Sequence, residues 1–132
     1  MDDEDWRILH EILGRGAGFG HRQHVELAWR YLGRHDADAA ADSVAAAIAG
    51  VAAAAGQPAK FHQTMTRAWV QCVAAHAQRW PAADFDGFLE RSPHLLDGGL
   101  LGHFYSADLL GSAGARSQWV APDLRALPAL AG

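Results

Sequence analysis

Apolar residues recur at three- and four-residue spacing along almost the whole chain, and Gly and Pro interrupt them at intervals of one helix length. That pattern constrains the fold more than any motif does. A period of 3.6 makes amphipathic helices, a period of two makes half-buried strands, and strand alternation is missing here. The expected fold is all-α: a compact bundle of about four to six helices with an irregular C-terminal tail. All 132 residues read as one helical-bundle domain, because no linker or internal repeat divides them.

The punctuation sets the expected boundaries. Residues 4–13 read as a first helix with Trp6, Leu9 and Leu13 on one side, and the acidic run 2–5 as its solvated start, where negative charge suits the helix dipole. GRGAGFG (14–20) breaks the chain with four glycines. It lacks a preceding strand and a Lys-Ser/Thr ending, which argues against a phosphate-binding loop. Residues 20–34 read as a second helix. Asp36 is the N-cap of a third that runs to about Ala55 and is stopped by Gly56. A fourth spans about 58–80, with Pro58 in its first turn and Pro81 at its end. A short helix over 84–91 is broken by Ser92-Pro93. HLLDGGLLGHFYSADLLGS then reads as one or two short helices bent at Gly98-Gly99. The tail reads as extended, packing back through Trp119 and Leu124.

Composition excludes several function classes. Half of the residues are hydrophobic, the net charge is −4 and the pI is near 6.0. No basic surface invites nucleic acid. The single cysteine, Cys72, excludes a disulfide framework and a cysteine-only zinc site, which suits a reduced cytoplasmic setting. On the apolar side of its helix, that thiol reads as inert core. The acidic start is no signal peptide, and the run from Val44 to Ala55 is too short to span a membrane.

Histidine is the outlier, with eight residues at positions 10, 21, 24, 35, 62, 76, 94 and 103. On a wheel of the second helix with His21 at zero, Val25 falls at about 40°, Trp29 at about 80° and His24 at about 300°. Arg22, Gln23, Glu26 and Arg30 fall between about 100° and 200°, so Glu26 is read as outward-facing. In the fourth helix, His62 shares its face with Met65, Thr66, Trp69 and Val73. Buried imidazoles need partners for both ring nitrogens. Three that converge are hard to satisfy with backbone alone, and a metal ion resolves the problem because neutral imidazole ligates Zn, Fe, Cu and Ni. The alternative is a set of hydrogen-bonded core histidines.

These residues lead to an expected function: a small metal-dependent enzyme acting on a small organic molecule. His21, His24 and His62 would hold one divalent transition metal (Fe, Zn or Cu), leaving positions for water or substrate. Trp69 and Thr66 would line the pocket, and Arg116 would clamp a substrate carboxylate unless it serves a surface ion pair. Tyr105 or His103 would carry the proton. Core packing is the competing role for Tyr105. His10, His35 and His94 read as surface or capping residues, and His76 as a cation suited to its helix's last turn. Two other functions compete: a module binding haem or another small molecule, and a non-catalytic interaction protein that forms a homodimer through the alanine-rich helix 36–55. The di-iron Glu-x-x-His pattern, the zincin motif and the haem-attachment motif are all absent.

Overall fold

The computed structural model describes residues 1–131 and is all-helical among them. Seven α-helices follow one another: α1 (Asp3–Leu13), α2 (His21–Leu32), α3 (Ala37–Ala54), α4 (Gln63–Arg79), α5 (Phe85–Arg91), α6 (Ala107–Leu110) and α7 (Ala113–Ser117). Three 3-10 turns, Pro58–Lys60, Pro93–Leu96 and Leu100–His103, join them. The first five helices are the substantial ones, and the last two are single turns.

Local chemistry explains most of the ends. Asp2, Asp36 and Asp84 each accept a hydrogen bond from the backbone N–H three residues on, at 2.8, 2.8 and 2.7 Å. Ser106 and Ser112 do the same for the two short helices. A side-chain acceptor satisfies an N–H that the helix itself cannot, and each such cap stabilises by about 1 kcal/mol. At the start of α2, Gly20 has no side chain, so Gln23 accepts from its N–H at 2.8 Å. Gly56 ends the third helix in the left-handed region, with φ of 71°, where a Cβ would be strained.

Helices α2, α3 and α4 pack on one another. α1 lies against α2 and α3, α5 lies against α2, and α7 lies against α4. One apolar cluster runs through α1 to α5 and into the C-terminal segment, including Leu9, Leu27, Tyr31, Val44, Trp69, Val73, Phe88 and Leu101. The small side chains Ala40, Ala41, Ala45 and Ala47 form the buried stripe of α3 and let its neighbours come close. By length and composition alone α3 is long and apolar enough to cross a membrane, with a mean hydropathy of 1.4 over 18 residues, a stretch that includes Asp38 and Asp42.

Four sequence expectations change. First, α1 buries Ile8, Leu9 and Ile12, whereas Trp6 and Leu13 are exposed. Second, the fourth helix begins later than its pattern suggests: Pro58–Lys60 is a separate 3-10 turn, and His62 is the N-cap rather than a member of the helix face. Third, Glu26 is buried, because α2 is covered on more than one side. Its carboxylate meets Arg15 at 2.7 Å and Arg30 at 3.8 Å. Fourth, the tail packs through Val120 and Leu127, while Trp119 and Leu124 are exposed.

The acidic start of α1 is not simply solvated either. Asp5 is 1% exposed. His35 Nε2 approaches both of its carboxylate oxygens at 2.9 Å, Arg34 Nε donates at 3.3 Å and Ser43 Oγ at 3.3 Å. Tyr31 Oη donates to the Asp5 carbonyl at 2.7 Å. One residue therefore joins α1 to α2, to the corner that follows it and to α3. Taking away a buried charge's partner is strongly destabilising. Asp5→Asn is expected to lower the unfolding free energy by about 3 kcal/mol with an unchanged m-value in urea, whereas Asp3→Asn, on the exposed side, is expected to change it by less than about 0.5 kcal/mol.

Candidate functional site

Helix α2 starts at His21, so its first turn carries both His21 and His24 toward α4 and the turn at 93–96. The His21 ring lies against Trp69, with centroids 4.3 Å apart. Its Nε2 donates to the Leu95 carbonyl at 2.7 Å. That bond puts a proton on Nε2, so Nδ1 is the nitrogen that a neutral ring would offer as a lone pair. The ring of His24 stands edge-on to it, with centroids 6.4 Å apart.

His24 is the chemically unusual member. Part of the residue remains accessible, but its Nε2 is shielded and, among the described residues, is the one buried side-chain polar atom without a hydrogen-bond partner. Burial, and then the neighbouring His21, push its pKa down to about 4, while the Thr66 backbone works in the opposite direction. The ring is thus neutral at pH 7. A buried nitrogen without a partner costs about 1–3 kcal/mol, so the arrangement is one that an external ligand would improve.

The third expected ligand is placed differently. His62 is buried, and both of its ring nitrogens are in use. Nδ1 accepts from the Met65 N–H at 3.0 Å as the α4 cap, and Nε2 donates to the Leu110 carbonyl at 2.7 Å. His21 and His24 are therefore brought together, while His62 is committed to holding α6 against the start of α4.

The other candidates are also placed. Thr66 and Trp69 are buried on α4, and Trp69 walls the His21 ring. Tyr105 is buried. Its hydroxyl donates to the Val120 carbonyl at 2.8 Å, and burial pushes the phenol up to about 12, which ill suits a proton carrier at neutral pH. His103 is exposed at the end of a 3-10 turn. Arg116 makes no ion pair among the described residues; from α7 it donates to the Ala59 carbonyl at 2.6 Å and to the Phe61 carbonyl at 3.5 Å. The Cys72 thiol is buried and pushed up to about 12, as expected of an inert core residue.

One other cluster has the composition of a metal site. Ligand atoms of Asp2, Asp5 and His35 lie within 4.8 Å of one another. However, Arg34 sits among them, at 2.7 Å from Asp2 and 3.3 Å from Asp5. A guanidinium in that position already neutralises the carboxylates, so the cluster acts as an ion-pair lock. The periodicity held a signal for it, since Asp5 falls in line with Leu9 and Ile12 on the apolar stripe of α1.

Comparison with family models, with curated proteins and with solved structures found no match for the chain.

The shift at His24 predicts a pH dependence. Its folded pKa, about 4, lies below the ordinary value of 6.5. Between those two values the unfolded chain binds the extra proton, so stability is complete above pH 6.5 and falls as the pH drops toward 4. Chelator-treated protein is expected to lose about 3 kcal/mol through this group across that interval. His24→Leu, measured by urea unfolding at pH 7.0 and 4.5, is expected to remove that part of the slope.

Proposed function

We propose that this chain binds a divalent transition-metal ion between His21 and His24 and uses the ion's open positions to take up a small organic molecule. The observation that carries the reading is the shielded, unpartnered Nε2 of a neutral His24, one helical turn from a second imidazole whose Nε2 is held by the Leu95 carbonyl. Imidazole nitrogen suits Zn, Cu, Ni or Fe and not the hard cations Mg or Ca. The His21 Nε2–H bond to the Leu95 carbonyl has the form of the outer support that ligating histidines commonly receive: it orients the ring and raises the basicity of the other nitrogen. Trp69 supplies an apolar wall. Two protein ligands leave positions for water and for an organic molecule, which is where lytic or oxidative chemistry would take place. His62 stays outside the ligand set because both of its nitrogens are engaged.

Metal content by plasma mass spectrometry on tag-free protein tests this directly. Wild type and His62→Ala are expected to carry one equivalent more than His21→Ala and His24→Leu. Equal metal in all four proteins would overturn the proposal.

A second reading has its own observation. An open groove of about 320 Å³ between α3, α4 and the tail is lined by Ala41, Val70, Gln71, Trp119 and Leu130, with Arg67 at its side. It suits a small apolar ligand, and Trp119, 42% exposed, would report on it. Quenching or a blue shift of Trp119 fluorescence on titration with a naphthalene sulfonate, lost in Trp119→Phe, would support that reading; a flat response would remove it.

A further inference from the structure

His76 lies in the last turn of α4, and His94 lies in the 3-10 turn Pro93–Leu96. The fold brings their Nε2 atoms to 2.9 Å, with ring centroids 4.4 Å apart and planes at 64°. His94 is exposed and His76 is half-buried. Behind them, the fully buried Ser92 places its Oγ 3.4 Å from His76 Nδ1.

We propose that His76 and His94 form a second site, a two-histidine chelate for a divalent transition-metal ion, separate from the one at His21 and His24. The geometry fits the coordination. Metal–nitrogen bonds of about 2.0–2.1 Å at a right angle put two nitrogens about 2.9 Å apart, and a tetrahedral angle puts them about 3.4 Å apart. The observed separation matches cis ligands of a square-planar or octahedral ion, the arrangement of Cu(II) or Ni(II). In the metal-free protein one ring donates its Nε2–H to the other. Binding needs both Nε2 lone pairs, so the donating ring moves its proton to Nδ1. For His76 that nitrogen faces Ser92 Oγ, which makes Ser92 the outer support of the ligand.

The surroundings select the class of ion. Burial, then the facing His94 and then the neighbouring charge of Arg79 lower the proton affinity of His76. Among the described residues no carboxylate completes a three-ligand cluster with the pair. Nitrogen donors beside a guanidinium reject Mg²⁺ and Ca²⁺, which need oxygen ligands, and accept ions that bond to imidazole. The site is open on one side, where Pro128 and Ala129 of the tail border a groove next to His76, so water can fill the remaining positions.

Titration of the chelator-treated full chain with Ni²⁺ alone, followed by calorimetry and by absorption, tests the site. Wild type is expected to bind one equivalent that His94→Ala and His76→Gln lose. The affinity of that equivalent should fall by at least the ~10–100-fold that loss of an outer support costs, and Ser92→Ala should weaken it by about tenfold. His94 is exposed, so His94→Ala keeps the fold, which circular dichroism checks. The part of the Ni²⁺-induced rise in Tm that this site supplies should disappear with it, leaving only what the site at His21 and His24 contributes. In His24→Leu the equivalent should persist, so the two sites fail or stand separately. Unchanged stoichiometry and affinity in His94→Ala would overturn the proposal and leave the pair as a hydrogen bond between two turns.

Discussion

The buried carboxylate of Asp5 is the constraint on which the arrangement of the first three helices depends. A charge that is 1% exposed persists only if its partners are in place. Those partners come from the end of α2, from the corner after it and from α3: Tyr31 on the backbone, then Arg34, His35 and Ser43. Apolar packing alone would let α1 slide or turn on α2, because contact between apolar stripes is poorly directional. Hydrogen bonds to one fixed carboxylate are directional, and they admit one register. The same register brings the first turn of α2 to the side of α4.

A second set of polar contacts organises the C-terminal third. Residues 93–131 form short turns and extended chain, so many backbone groups there lack helical partners. Side chains from the long helices supply those partners. His21 bonds to Leu95, His62 to Leu110, Gln71 to Pro128, and Gln78 to Ala131. Thr64 donates to the Gln118 carbonyl and accepts from the Val120 N–H. Polar residues on otherwise apolar faces are thus largely anchors for irregular backbone. His24 stands apart because its Nε2 has no such task, and His76 and His94 stand apart because they meet each other.

The histidines divide accordingly. His35 is a structural hydrogen-bond partner of Asp5, and His62 is a cap and an anchor. His21 is an anchor with one nitrogen to spare, and His24 is a neutral base kept away from water. A metal at His21 and His24 would use nitrogens that the backbone does not engage, and one at His76 and His94 would take over nitrogens that the fold pairs only with each other. The apolar-face position of His21 and His24 was legible in the 3.6 period. The partners of their nitrogens were not, because Leu95 lies 74 residues from His21.

Local chemistry determined the helices themselves. Asp36 and Asp84 as caps, Gly56 as the stop of α3 and Pro81 after α4 act within one turn of chain, so the sequence alone places those ends. The all-α class follows from the same short-range period. Tertiary structure decided which sides were buried. A wheel describes a helix with one neighbour, and α2 has several, so Glu26 is enclosed despite its polar side. In α1 the deciding factor was Asp5, which turned Ile8 and Ile12 inward and left Trp6 and Leu13 outside. Contacts such as His76 with His94 join separate elements, and their geometry is set by how the intervening chain packs rather than by spacing along it.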